Sequence, residues 1–297
     1  MTRPRPLGIA HLSDPHIRPA GRVAVGGVVD SRAVLVRALE VLTTWDVGCA
    51  AWVFTGDLTD EGDAESYAWL RATVTDAARA AHVRVVWANG NHDDRVLFRT
   101  ALVDADAVDA PYNAEHRLDG LRVLVLDTSV PGVPWGRVDP GSLAWLADRL
   151  ADPAPDGTLL VMHHAPLPVV QDAAALWSLR EPDAVARLVR GSDVRGILSG
   201  HFHQSGWGTF AGVPVALATS LAYTQDLTRG RTLRGHDAGQ GFNLVQMHPD
   251  TVLHTVVPLV AGVGVHDEIS PERARALAGP PPPGDGPAAS EATGDGP

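Results

Sequence analysis

Five short polar segments of the sequence carry residue types that bind metal ions and activate water. Each follows a run of apolar residues: DPH at 14–16, GDLTD at 56–60, GNHD at 90–93, HH at 163–164 and GHFH at 200–203. A single histidine at the end of a strand more often has a structural role. Five such segments in one chain indicate that they contribute to one shared site.

The candidate ligands are imidazole nitrogens and carboxylate or amide oxygens, with no thiolate among them: Asp14, His16, Asp57, Asn91, His163, His201 and His203. This set of donors is typical of zinc, iron or manganese sites, and differs from that of calcium sites or all-cysteine zinc sites. Seven ligands are too many for one tetrahedral zinc ion, but they suit two ions that share a carboxylate. Two metal ions about 3.5–4 Å apart form a clamp for displacement at phosphorus.

The local sequence around these residues supports a site. Val194–Leu198 reads as a buried strand, and residues two apart in an extended chain point the same way. The side chains of His201 and His203 are therefore expected to point together beyond the end of that strand. Glycines at 56, 90 and 200 are expected to let the chain turn sharply as it leaves each strand.

Alternating strands and helices must position these ligands. Predicted strands cover 7–12, 51–54, 83–87, 121–126, 158–162 and 194–198, and predicted helices cover 31–45, 63–81, 140–150 and 183–190. After Val213 the pattern predicts only strands and turns, ending with a hairpin of 244–247 and 252–257. The alternation predicts a layered α/β domain, in which ligands bind at the carboxyl ends of the strands. Every predicted strand of the α/β part except 121–126 is followed by metal-binding or catalytic residue types.

Composition narrows the function classes. The chain has 297 residues, a formal net charge of −11 and no lysine. The acidic balance argues against a nucleic-acid-binding surface, which needs a basic patch. The absence of lysine excludes Schiff-base and P-loop mechanisms. A single cysteine, Cys49, excludes a disulfide framework and a thiolate zinc cluster.

Residues 1–278 are predicted to form a single domain. The segment 279–297, GPPPPGDGPAASEATGDGP, lacks apolar residues to bury and is predicted to be disordered. The N-terminal residues lack an apolar segment long enough for a signal peptide, and no window approaches the ~18 apolar residues of a membrane span. We therefore expect a cytoplasmic protein that does not associate with membranes.

The ordered series DPH, GDLTD, GNHD, HH and GHFH resembles the calcineurin-like metallophosphoesterase superfamily over about residues 7–260. Within it, the spacings are similar to those of bacterial class III cyclic nucleotide phosphodiesterases. The resemblance implies an α/β fold of the four-layer αββα type, in which two mixed β-sheets are flanked by helices. It also implies a homodimer and two metal ions, iron in one position and manganese or zinc in the other.

The resemblance further implies a role for each motif residue. The ligands of one metal ion would be Asp14, His16 and His203, those of the other would be Asn91, His163 and His201, and Asp57 would bridge the two. His92, next to Asn91, would contact the phosphate and could protonate the leaving oxygen. The implied catalytic residues are thus His92 and Asn91.

The implied activity is hydrolysis of a small phosphodiester, with 3′,5′-cyclic nucleotides such as cAMP as the first choice. The reaction would be in-line attack by a hydroxide that bridges the two metal ions. Glycerophosphodiesterases, nucleotide pyrophosphatases and phosphomonoesterases carry the same motifs, so these activities stay open. An inactive scaffold would be expected to lack ligands or His92, and none is missing. A metallo-β-lactamase-type hydrolase would need a His-x-His-x-Asp-His block, whereas GHFH is followed by QSG.

Other residues near the motifs have less specific roles. For His164, substrate contact and structural support are both open, because an extended chain would point it away from His163. Carboxylates beside the motifs are predicted to cap helices or support ligands: Asp60, Asp93 and Asp94. For Trp135 and Trp207, which lie in predicted loops, packing is favoured over lining the substrate pocket.

Overall fold

The computed structural model describes residues 6–22, 24–260, 262 and 268–279. Its strands are β1 Leu7–Leu12, β2 Ala24–Val25, β3 Val29–Asp30, β4 Ala51–Thr55, β5 Arg84–Ala88, β6 Ala114–Leu118, β7 Leu121–Val125, β8 Thr158–Val161, β9 Val194–Ser199, β10 Gly206–Phe210, β11 Val213–Leu217, β12 Thr224–Gln225, β13 Gly235–His236, β14 Gly241–Met247 and β15 Val252–Pro258. Its helices are α1 Ser31–Thr44, α2 Ala64–Ala81, α3 Arg95–Leu102, α4 Pro140–Leu150, α5 Asp172–Ala175, α6 Pro182–Val189 and α7 Pro271–Ala278. Within the described ranges, no helix combines the length and hydropathy needed to cross a membrane.

Two large sheets form the centre of the fold. The first has the strand order β15-β14-β1-β4-β5, in which β1, β4 and β5 are parallel and β14 is antiparallel to both of its neighbours, β1 and β15. The second has the order β10-β11-β9-β8-β7-β6, with parallel central strands and antiparallel pairs at both edges. Both sheets are therefore mixed.

Side chains that alternate along the strands bury both faces of each sheet. Between the sheets, one core combines Ile9 and Val53 of the first sheet with Val123 and Leu159 of the second. The outer face of the first sheet packs on α1, α2 and α3, and the outer face of the second packs on α4 and α6. This arrangement confirms the four-layer αββα sandwich.

Most of the predicted elements are present. The bounds of β1 and α4 agree with the prediction to the residue, and the other predicted elements before Val213 differ by one residue at one end or, for β5 and α6, at both ends. The prediction missed α3, a short helix that buries only Phe98 and Leu102. It also missed β6, the edge strand AEHRL, in which only Leu118 is buried. Helix α3 is amphipathic but has only eight residues, which is shorter than the window over which periodicity is read, and β6 lacks alternating apolar residues.

Residues 1–260 form one compact unit, and residues 261–297 belong to a second. The described part of the second unit includes α7, where the Ser270 hydroxyl accepts a hydrogen bond from the backbone N–H of Arg273 at 3.3 Å. The prediction of only strands and turns after Val213 is wrong here, because a serine followed by proline is a helix start signal. The domain boundary at 278 stays a prediction, and the predicted tail beyond Gly279 lies outside the described residues.

Candidate metal centre

The loops that follow β1, β4, β5, β8 and β9 bring the seven predicted ligands together. In one group, His16 Nε2 lies 3.0 Å from His203 Nε2, which lies 3.5 Å from Asp14 Oδ1. In the other group, His163 Nε2 lies 3.2 Å from Asn91 Oδ1, and the rings of His163 and His201 are 5.0 Å apart. The carboxyl ends of strands from both sheets thus meet at one site.

The Asp57 carboxylate lies between the two groups. Its Oδ2 is 3.6 Å from Nε2 of His16 and 3.3 Å from Nε2 of His163. Its Oδ1 accepts a hydrogen bond from the backbone N–H of His92 at 2.8 Å. One oxygen is therefore fixed by the backbone, and the other faces a histidine from each group.

Three of the histidines have Nδ1 held by an oxygen outside the centre. Nδ1 lies 3.1 Å from Asp60 Oδ1 in His16, 2.7 Å from the Thr55 carbonyl oxygen in His163, and 2.9 Å from the Tyr223 carbonyl oxygen in His203. A carbonyl oxygen only accepts hydrogen bonds, so Nδ1 of His163 and His203 carries the proton. When these rings are neutral, their Nε2 atoms keep the lone pair that a metal ion requires.

His201 is oriented the opposite way. Its Nε2 lies 3.0 Å from the Trp177 carbonyl oxygen, while its buried Nδ1 has no hydrogen-bond partner among the described residues. A buried nitrogen without a partner costs free energy, and a metal ion would satisfy it. Together with the shared Asp57 carboxylate and the nitrogen and oxygen donors, this atom shows that the residues present fit a dimetal centre.

Five of the seven predicted ligands have a left-handed backbone conformation. Their φ angles are +50° at Asp14, +43° at His16, +49° at Asp57, +73° at His201 and +49° at His203. Non-glycine residues with positive φ are uncommon and cluster at functional sites. The side chains of His201 and His203 do point into the same centre, as expected. The expected reason, an extended chain, is wrong. They converge because β9 ends at Ser199 and the loop coils around the centre.

Two glycines of the motifs are required by close packing. A Cβ at Gly90 would lie 2.2 Å from Asp57 Oδ1, and a Cβ at Gly200 would lie 2.5 Å from Asp14 Oδ2. Of the three glycines expected to allow a sharp turn, only Gly56 has a positive φ, +100°. Gly90 and Gly200 instead leave room for the carboxylates of predicted ligands.

The metal-free centre contains one strong ion pair. Burial lowers the pKa of His163, but the adjacent Asp57 carboxylate outweighs it and raises that pKa to about 9. Burial raises the pKa of Asp57, and the attraction of His163 nevertheless brings it well below its usual range. Burial and the neighbouring His163 lower the pKa of His201 to about 3. A metal ion entering this centre must therefore displace the proton of His163.

His92 lies beside the centre, at the surface. Its ring is 42% exposed and stands edge-on to the His16 ring, with 4.6 Å between centroids. Its Nδ1 lies 2.9 Å from the Asp60 carbonyl oxygen, which leaves Nε2 as the nitrogen available to a ligand. This placement suits contact with a bound phosphate.

The neighbouring carboxylates have the supporting contacts that were predicted. Asp93 accepts hydrogen bonds from the backbone N–H groups of Leu58 and Thr59 and from the Tyr67 hydroxyl. Asp94 caps α3, and Asp60 holds His16 as described above. These contacts fix the loops that carry the ligands.

His164 is buried with both ring nitrogens facing protein oxygens. Its Nδ1 lies 2.9 Å from Thr128 Oγ1, and its Nε2 lies 3.2 Å from the Pro134 carbonyl oxygen. Of the two roles left open, the geometry favours structural support. Thr128 follows β7, the strand thought to lack a polar ending, and the polar run DTS at 127–129 was the signal that the sequence analysis missed.

A cavity of about 110 Å³ opens onto the centre. Its lining includes Asp57, His92, His201, Trp177 and Tyr223. The aromatic residues of this lining, Trp177 and Tyr223, are not the two tryptophans that the sequence analysis considered, Trp135 and Trp207. Trp207 lies on edge strand β10 and is 73% exposed, and the Trp135 ring packs under the Arg180 guanidinium at 3.6 Å.

Residues 7–205 match the model of the family described as calcineurin-like phosphoesterase. The chain belongs to this family. A probable cyclic nucleotide phosphodiesterase of Rhodococcus erythropolis is 46% identical over 280 residues, which cover 92% of this chain and 91% of that protein. A cAMP/cGMP dual specificity phosphodiesterase of Mycobacterium tuberculosis is 46% identical over 275 residues, which cover 92% and 86%.

The family fold is also found in a crystal structure of a dimetal phosphatase from Danio rerio. That structure superposes with a TM-score of 0.62 at 15% sequence identity, and the match covers 86% of this chain and 98% of that one. At this identity the similarity concerns the fold. The calcineurin-like family, the fold and the convergence of the motif residues were thus all predictable from the order of the five segments.

Proposed function

We propose that the protein is a dimetal phosphodiesterase that hydrolyses 3′,5′-cyclic nucleotides. The observation that carries this proposal is the Asp57 carboxylate, whose Oδ2 faces His16 at 3.6 Å and His163 at 3.3 Å beside the exposed His92 ring. The similarity to two phosphodiesterases at 46% identity supports the substrate class. The net charge of −11 favours a small phosphodiester over a nucleic acid.

The ligands divide into two sets around Asp57. Asp14, His16 and His203 would hold one ion, and Asn91, His163 and His201 would hold the other. We propose iron for the first and manganese or zinc for the second, since imidazole and carboxylate donors suit these metals. Bound ions would acidify a water molecule and neutralise charge on the phosphoryl oxygens.

The chain itself positions the substrate and handles the proton. In the proposed hydrolysis a water oxygen forms a bond to phosphorus, the bond from phosphorus to the leaving oxygen breaks, and that oxygen takes up a proton. Nε2 of His92, in the protonated ring, is the proposed donor, because Nδ1 is engaged by the Asp60 carbonyl oxygen. The Asn91 amide oxygen faces His163, so the Asn91 Nδ2 group is free to bind a phosphate oxygen.

Hydrolysis of 3′,5′-cAMP and bis(p-nitrophenyl) phosphate by the manganese-loaded protein tests this proposal. We expect Asn91→Ala and His92→Ala to lower kcat/KM by about 100-fold or more. His82→Asn is the matched control, because His82 ends α2 in a left-handed conformation that asparagine tolerates. Failure of the protein with two bound metal ions to hydrolyse any phosphodiester would refute the proposal.

A substrate panel separates the related activities. Glycerophosphodiesters, 2′,3′-cyclic nucleotides and phosphomonoesters should react more slowly than 3′,5′-cAMP. Activity on monoesters alone would leave the dimetal centre in place and overturn the diesterase assignment. The cytoplasmic location and the homodimer stay predictions, which cell fractionation and light scattering would check.

A further inference from the structure

A second and larger cavity lies beside the metal centre. It has a volume of about 530 Å³, and its lining includes the apolar residues Val25, Val29 and Leu233. It shares Trp177, Tyr223, Gln225 and Leu233 with the cavity that opens onto the centre. We propose that this side cavity binds the nucleobase of the substrate, with Trp177 as the stacking residue. The inference rests on the proposed function and adds the position of the base.

The Trp177 indole is placed to stack on a planar ligand. Trp177 lines both cavities, and the residue is 40% exposed although its backbone contacts the buried His201. Its backbone carbonyl oxygen faces His201 Nε2 at 3.0 Å. The backbone of Trp177 is thus fixed to the centre while the residue stays 40% exposed, which sets the distance between the phosphate and the base.

Tyr223 forms a rigid wall of the same cavity. Its ring lies 4.2 Å from the His203 ring, and a Cβ at Gly235 would lie 2.6 Å from Tyr223 Cδ2. The ring is therefore enclosed between a metal ligand and the β13 backbone, and it cannot swing away.

A buried glutamine holds the two sides of the cavity together. The Gln171 amide nitrogen donates hydrogen bonds to the carbonyl oxygens of Asp226, Arg229 and Thr232, at 3.4, 3.3 and 2.8 Å. Gln171 is 1% exposed and begins the segment that carries Trp177. The loop between β12 and β13 is thereby fixed to the Trp177 segment, which preforms the cavity.

The cavity on the other side of His92 has a different character. It has a volume of about 280 Å³, and its lining includes four carboxylates, Glu61, Asp93, Asp94 and Asp109, beside one cation, Arg95. The side cavity has two carboxylates in its lining, Asp60 and Asp237, together with the aromatic residues Trp177 and Tyr223. Base stacking on aromatic side chains contributes far more than contact with carboxylates, which repel a nearby phosphate. The side cavity is therefore the one that suits the base.

Two diester substrates test the inference. For Trp177→Ala we expect kcat/KM for 3′,5′-cAMP to fall by about 10–100-fold, with little change for methyl p-nitrophenyl phosphate. Trp177→Phe should recover most of the loss, because a phenyl ring also stacks. Trp207→Ala is the matched control, since Trp207 lies on β10 and lines none of these cavities. Equal losses on both substrates would overturn the inference and show that Trp177 acts only through His201.

A binding measurement makes the result independent of turnover. Saturation-transfer NMR with adenosine, which lacks the phosphate, should show transfer to the adenine protons from the unsubstituted protein and not from Trp177→Ala. Adenosine transfer without diester hydrolysis would refute the proposed function and retain the base site. Diester hydrolysis without adenosine transfer, or transfer that persists in Trp177→Ala, would refute the base site alone.

Discussion

Replacing Gly90 by alanine tests how tightly the bridging carboxylate is held. The new Cβ would lie 2.2 Å from Asp57 Oδ1 and 2.4 Å from the Asp57 backbone nitrogen. Carbon contacts normally begin near about 3.5 Å, so the two segments must separate by about 1 Å. Because one of the atoms is backbone, rotation of the Asp57 side chain cannot relieve the contact.

The expected cost follows from overpacking of a rigid site. An added methyl group in a closely packed position costs about 1–3 kcal/mol. For a chain of this size that corresponds to a fall in Tm of about 2–10 °C. The carboxylate that faces both ligand groups must also shift, so we expect the content of bound manganese to fall below that of the unsubstituted protein, along with kcat.

Differential scanning calorimetry and metal analysis after gel filtration measure both effects. Gly206→Ala is the control, because a Cβ at Gly206 has no atom within 4 Å and the residue has an ordinary φ angle. If Gly90→Ala matched the control in both Tm and metal content, the Asp57 loop would be free to move. The argument that this glycine makes room for the carboxylate would then fail.

Three further outcomes are expected. Asp60→Asn should weaken manganese binding by about 10–100-fold, because it removes the charged partner of His16 Nδ1. The control variant, Asp104→Asn at an exposed position, should bind manganese as the unsubstituted protein does. Equal manganese affinities of the two variants in titrations would contradict this role of Asp60. The pKa of His163 is raised to about 9 from its ordinary 6.5, so its stabilisation of the metal-free protein is present below pH 6.5 and is lost through pH 9. Thermal melts of chelated protein should show Tm falling over that range, and a flat profile would contradict the ion pair. Gln171→Leu leaves three carbonyl groups without their hydrogen-bond donor. The KM for 3′,5′-cAMP should therefore rise, and Tm should fall by about 2–8 °C. An unchanged KM would show that the side cavity does not depend on this contact.

The sequence could predict the centre because its ligands follow buried strands. The apolar runs before Asp14, Asp57 and His163 identify strands, and parallel strands end at the same edge of a sheet. That rule brings together the loops within each sheet, and the αββα sandwich implied by the family resemblance accounts for the loops of the two sheets meeting at one site. It is the reason why the strand bounds and the convergence of the motif residues were both predictable.

The backbone conformation of the loops could not be predicted in the same way. Alternation along an extended chain suggested the correct direction for His201 and His203, although both have positive φ angles. The orientation of the His201 ring depends on the Trp177 carbonyl oxygen, which is 24 residues away in the sequence. Such contacts between distant loops leave no local pattern, so Trp177 was missed, whereas Thr128 lies in the polar run DTS that follows β7.

The left-handed conformation of five predicted ligand positions has a consequence for engineering this fold. A non-glycine residue held there costs on the order of 1–3 kcal/mol, and glycine or asparagine would relax the backbone. A directed-evolution campaign that selects heat-resistant variants in chelating buffer would therefore favour replacements at His16, Asp57 and His203. The same campaign run with manganese would retain them, since ion binding to the native state stabilises only chains that keep the ligands. The buffer chosen for selection would thus decide whether the hydrolytic centre survives.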